Sequence, residues 1–201
     1  MAKRAKSTMR ATLIVKYLAP AAVLTAAAAL AQSKSPARRA NTTVLVQQFR
    51  TRANGYITWR EKNVGRAPAP TNSPEKLDDA RHELANKIRT ARAGAKQGQI
   101  FTPEIADYFR KQISATLNGP HGNEVRQSLR HAEPVKMDLQ INQSYPANVP
   151  LQSTPPTLLL NLPELPKGME YRIIDRELVL RDSDANIIVD YIPDAFPADT
   201  E

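Results

Sequence analysis

Apolar positions recur at intervals of three and four through the first two thirds of the chain, then give way to short β-branched runs near its end. Leu45, Phe49, Ala53 and Tyr56, with Val46 and Ile57 widening the stripe, predict a first helix. Gly55 lies inside that segment and weakens it by about 1 kcal/mol relative to alanine. Pro68 and Pro70 then break the chain between Arg66 and Ser73, because each ring removes an amide donor. Ser73-Pro74-Glu75 carries a capping hydroxyl, a proline suited to the first helical position and an acid for the positive helix end. Leu77, Ala80, Leu84, Ile88, Ala91 and Ala95 follow at helical spacing and predict a second helix reaching toward Gly98. The two stripes predict an antiparallel pair, closed by the proline loop, that buries both together.

Thr102-Pro103-Glu104 repeats the start signal ahead of Ile105, Tyr108, Phe109, Ile113 and Leu117, and Asn118-Gly119-Pro120 ends that helix. A shorter helix over 123–132 presents Val125 and Leu129 and stops before Pro134. Prolines at 134, 146, 150, 155, 156, 163 and 166 predict an extended wrap with one short helix over 155–162. Three strands are predicted at Tyr171–Ile174, Leu178–Leu180 and Ile187–Ile192, with turns at Asp175-Arg176 and over 182–186. Three short strands are not stable alone, so their apolar face should pack on the helices. The expected fold is α+β: a small bundle of about four helices, a proline-rich wrap and a C-terminal three-stranded antiparallel β-meander. The expected segments are a signal peptide over 1–31, a flexible linker over 32–41, helices over 42–133, the wrap over 134–169, the meander over 170–193 and a tail over 194–201.

The start of the chain changes the picture from fold to address. Lys3, Arg4, Lys6, Arg10 and Lys16 precede an apolar run from Tyr17 to Leu30, which closes on Ala29-Leu30-Ala31 ahead of Gln32. A basic lead, a short apolar stretch and a small-x-small triplet compose a secretory signal peptide, cut here after Ala31. An uncleaved anchor would need roughly 20 apolar residues, a length interrupted by Lys16. A buried alanine-rich helix is the third reading. Export to the periplasm or beyond is the expectation, with membrane contact only through the signal segment before cleavage. The chain has no cysteine, which excludes disulfides, a lipid anchor on an N-terminal cysteine and thiolate chemistry.

Export also alters the charge. The whole chain carries a formal net charge of +8, but five basic residues leave with the signal and the remainder is close to neutral. That removes the strongly basic balance a nucleic-acid partner would want. The basic excess sits before residue 134 and the acidic excess after it. Two outcomes follow: the halves dock on each other, which is the favoured one, or a basic face stays free for an anionic envelope component.

The order of these pieces resembles a family of uncharacterised exported proteins of Gram-negative bacteria. The resemblance rests on Gln99-Ile-Phe-Thr-Pro-Glu104, on the run from Tyr171 to Asp182 and on the run from Asn186 to Pro193. Its motifs are a helix start and a hairpin, and no activity is assigned to the family. It therefore implies export and this architecture, and no catalytic residue.

Candidate chemistry is sparse. Asp182, Asp184 and Asn186 match positions one, three and five of a calcium loop, but Ile187 and Pro193 stand where a turning glycine and a bidentate glutamate belong. A hairpin turn is the simpler account. His82, His121 and His131 fit no metal-ligand spacing. Asp78 with Glu83, and Glu75 with Asp79, sit beside Lys76 and Arg81 as helix-surface ion pairs. Arg38, Arg39, Arg50, Arg52, Arg60 and Arg66 could meet lipid head groups or an acidic glycan, although scattered arginines usually serve solvation. No catalytic, cofactor-binding or metal-ligating set is assigned and no cofactor is expected. The leading functional expectation is a non-enzymatic interaction protein with another envelope protein as partner. The alternatives are an enzyme with an unfamiliar carboxylate or histidine site, and a binder of anionic envelope lipid or glycan. The oligomeric state stays open.

Overall fold

Proline sets the start of four of the five helices in the computed structural model: α1 (Pro36–Asn63), α2 (Pro74–Ala91), α3 (Pro103–Leu117) and α5 (Pro156–Leu159), while α4 is Gly122–Arg130. The structure describes residues 36–130, 138–145 and 154–197. The signal segment, His131 and the prolines at 134, 146 and 150 lie outside the described residues. The Ser73 hydroxyl accepts the Lys76 amide and caps α2 as expected. Thr102 caps α3 with its backbone carbonyl alone, accepting the Ala106 amide at 2.8 Å.

Two helix boundaries differ from expectation. Helix α1 begins at Pro36, so 36–41 belong to the helix and not to a linker. Alanine and arginine at 37–40 are good helix formers, which outweighs their polar composition. Helix α2 ends at Ala91 and does not run on to Gly98; Ala91 is exposed, and turns occupy 92–98. The expected α1–α2 pair also gives way to another arrangement. The closest approaches between helices are α1 with α3, α3 with α4 and α3 with α5. Aromatic packing explains the preference: Phe49 of α1 meets Phe109 of α3 edge-on at 4.9 Å and stacks on Phe101 at 5.5 Å. Gly122 permits the turn from α3 into α4, since a β-carbon there would overlap the Leu117 carbonyl.

The meander is formed by β1 (Met169–Ile174), β2 (Glu177–Asp182) and β3 (Ile187–Ile192), antiparallel and in the order β1-β2-β3. Asp175 and Asn186 take left-handed backbone angles at the two turns, φ 51° and 53°, a conformation these two residue types tolerate. One face of the sheet, with Tyr171, Leu178, Leu180, Ile187 and Val189, joins the helices in the main core. The other face, with Ile174, Val179 and Ile188, is covered by Tyr145 and Leu139 from the wrap. That wrap runs along β3: the Asn142 amide donates to the Ile188 carbonyl and the Ile188 amide to the Gln143 carbonyl. Burial on both faces explains why β2 and β3 read as nearly continuous apolar runs instead of clean alternation. The architecture is α+β, with the helical content and the C-terminal β-hairpins laid out as the pattern predicts.

A bulge in β3 aims one charged residue inward. Leu180 pairs with Asp190 and Arg181 with Ile188, so Val189 is the extra residue. Without it, Asp190 would point away from the helices; the bulge turns it toward them, fully buried.

Candidate functional site

The buried stripe of α1 continues past its apolar members. Phe49, Ala53 and Tyr56 are followed, one turn on, by Arg60, which is also buried. Its guanidinium lies 2.8 Å from Asp182 at the end of β2 and 3.0 Å from Asp184 in the following turn. The Tyr56 hydroxyl donates to the same Asp182 carboxylate at 2.8 Å, and the amides of Asp184 and Ala185 donate to its other oxygen. The basic helical half and the acidic meander therefore dock on each other through this joint.

A second joint is built on Asp190. Its carboxylate accepts the amides of Gly98, Ile100 and Phe101, all in the connection from α2 to α3. Burial raises the Asp190 pKa and the amides oppose that, with burial prevailing. Asn142, buried with φ 66°, adds a third tie. It exchanges hydrogen bonds with Arg92 and accepts one from Arg89 at the end of α2.

Above these joints opens a cleft of about 460 Å³. Its walls are Arg52, Tyr56 and Trp59 of α1, and Arg92, Gly94, Ala95 and Gln99 of the connection. The Arg92 guanidinium stacks over the Tyr56 ring at 5.1 Å, a cation–π contact. Burial lowers the Arg92 pKa, and the charges near Tyr56, Asp190 and Asp182 oppose this; the guanidinium keeps its proton in any case. Arg52 is exposed and donates to the Gln99 carbonyl at 2.9 Å. Among the described residues neither Arg52 nor Arg92 has a carboxylate ion-pair partner.

The residues singled out in the sequence fall mostly elsewhere. Asp182 and Asp184 do share one partner, but it is the Arg60 guanidinium, which occupies the position a calcium ion would need. Asn186 faces away from them, accepting from Arg181 and donating to the Tyr145 carbonyl. Among the described residues no group of three or more acidic or histidine side chains could hold a metal. His82 and His121 are exposed, and His121 lies 3.4 Å from Glu124. Asp78 and Glu83 pair with Arg81 and Lys87 on the α2 surface. Of the scattered arginines, Arg60 is a correction: it is a buried ion-pair partner, not a solvated charge. Its place four residues after Tyr56 was the available signal. Asp190 and Asn142 carried no such signal, since a bulge and a wrap position them.

The Tyr56 hydroxyl is committed to Asp182, and burial, reinforced by that carboxylate, pushes its pKa far above the usual tyrosine range. Tyr171, buried with its hydroxyl on the Pro163 carbonyl, is shifted the same way by burial. A raised folded-state pKa stabilises the fold below the unfolded value, about 10 for tyrosine, and that contribution is lost as pH climbs beyond it. Stability measured by urea unfolding should fall steeply above about pH 10, and more gently in Tyr56→Phe. An unchanged slope in that variant would contradict the assignment.

Comparison with protein-family models, with curated proteins and with solved structures finds no match.

Proposed function

We propose that this chain is an exported, non-enzymatic protein of the periplasm or envelope that acts through contacts with another envelope protein. The observation that carries the non-enzymatic reading is the commitment of its buried ionisable groups. Asp182 is held by Arg60, Tyr56 and two amides, and Asp190 by the amides of the α2–α3 connection. What lines the cleft is arginine, aromatic, amide and small side chains, which bind but do not shuttle protons at neutral pH. Export is supported by the order of basic, apolar and small residues at the start of the chain. The resemblance to exported proteins of Gram-negative bacteria agrees with it.

The test is fractionation of cells carrying a C-terminally tagged chain, with intact-mass measurement of each fraction. A species beginning at Gln32 outside the cytoplasm is the expected result. A full-length species retained in the membrane would replace cleavage by anchoring, and a full-length cytoplasmic species would overturn export.

A further inference from the structure

We infer that the cleft between α1 and the α2–α3 connection is a binding site for a small organic anion, whose carboxylate or phosphate is held by Arg52 and Arg92 while a flat apolar portion rests on Trp59. This goes beyond contact with a protein partner and stands or falls separately from it.

Charge placement is the first support. No aspartate or glutamate lines the cleft, whereas two arginines do. The nearby carboxylates lie behind it, fully buried and already engaged: Asp182 by Arg60 and Tyr56, Asp190 by backbone amides. The positive charge at the opening is thus not cancelled on the side a ligand would meet, and a desolvated wall strengthens it.

Preorganisation is the second. Arg92 is fixed from three directions, by Asn142 at 2.9 Å, by the Gln99 side chain at 3.3 Å and by the Tyr56 ring beneath it. Arg52 is steadied by the Gln99 carbonyl. Each guanidinium has five donors and spends one or two of them on these contacts, so donors remain for an anion. Guanidinium groups held in place lose less freedom on binding than free surface arginines.

The third is shape and lining. A volume of about 460 Å³ falls within the range of about 300–1,000 Å³ typical of small-molecule sites. Trp59 is half-buried, 6.2 Å from the Tyr56 ring, and offers a flat face at the wall. Gly94 leaves open space where any other residue would place a β-carbon.

Trp59 is the sole tryptophan of the chain, so its fluorescence reports on the cleft without labelling. The experiment titrates the chain recovered from cells with phenyl phosphate, and in parallel with benzyl alcohol and with phosphatidylglycerol vesicles. A saturable change with phenyl phosphate, absent with benzyl alcohol, is expected. Arg52→Glu should weaken it roughly tenfold or more, the scale of one lost charge-assisted hydrogen bond, with the melting temperature unchanged because Arg52 is exposed. Raising salt from about 50 to 500 mM should also weaken it. No response to phenyl phosphate, an equal response to benzyl alcohol, or full retention in Arg52→Glu overturns the inference. A response confined to the vesicles overturns it in favour of a membrane-facing surface. Phenyl phosphate binding without any protein partner in cells would sustain this site while removing the protein-contact reading.

Discussion

Replacing Asp182 with alanine is expected to cost about 3–5 kcal/mol of stability, because it leaves a buried guanidinium without its counter-charge. Arg60 is 1% exposed, too deep for water to take over the lost pairing. The same change strips the acceptor from the Tyr56 hydroxyl and from the amides of Asp184 and Ala185. Arg60→Ala should be comparably damaging, since it leaves the carboxylate buried and uncompensated. The paired change Arg60→Met with Asp182→Leu should cost less than either single alanine variant. Arg60 Nε already lacks a hydrogen-bond partner among the described residues, and a buried ion pair that is not fully satisfied gains little over apolar packing. Urea unfolding of the three variants checks both parts. A loss under 1 kcal/mol for Asp182→Ala would show that the joint does not hold the halves together.

Asp190→Ala has the next largest expected effect, about 2–4 kcal/mol, from leaving the Ile100 and Phe101 amides unsatisfied in the core. The Gly98 amide is less enclosed and can turn to water. The loss should spread locally: Phe101 stacks on Phe49 and meets Phe109 edge-on at 5.1 Å, so a loosened connection disturbs the aromatic cluster. Asp190→Asn should recover part of the stability. Its carbonyl oxygen can accept, but its amino group faces amides that also donate. Hydrogen exchange at Ile100 and Phe101 is the sharper readout. Both amides should exchange much faster in Asp190→Ala, and protection equal to the native chain would contradict the role given to the carboxylate.

These two residues also mark the limit of what the sequence discloses. Spacing of three and four exposes helix faces directly, so the cores of α3 and α4 and the positions of the strands follow from it. Proline and serine at 73–74, and threonine and proline at 102–103, place two helix starts. Pairing between helices is a different matter, because it depends on which aromatic side chains fit together. Phe49 packs with Phe109 and Phe101, and no one-dimensional pattern distinguishes that from packing against α2. The turn after β2 was legible as a turn, yet the use of Asp182 was not, since its partner lies 122 positions earlier in the chain. Asp190 was hidden for a related reason: a single-residue bulge reverses the face on which it lies. The cleft combines α1 with the connection that follows α2, and two arginines so far apart read as ordinary surface charge until the fold brings them together.

The central claim is that the chain works in the envelope by contact and not by turnover. The measurement that tests it most directly is cross-linking in living cells with a C-terminally tagged chain, followed by purification from the envelope fraction and identification of what is covalently attached. The expected result is a reproducible cross-linked envelope protein on a chain that begins at Gln32. An uncleaved chain, or a cleaved one that is recovered unaccompanied in every repeat, would contradict it.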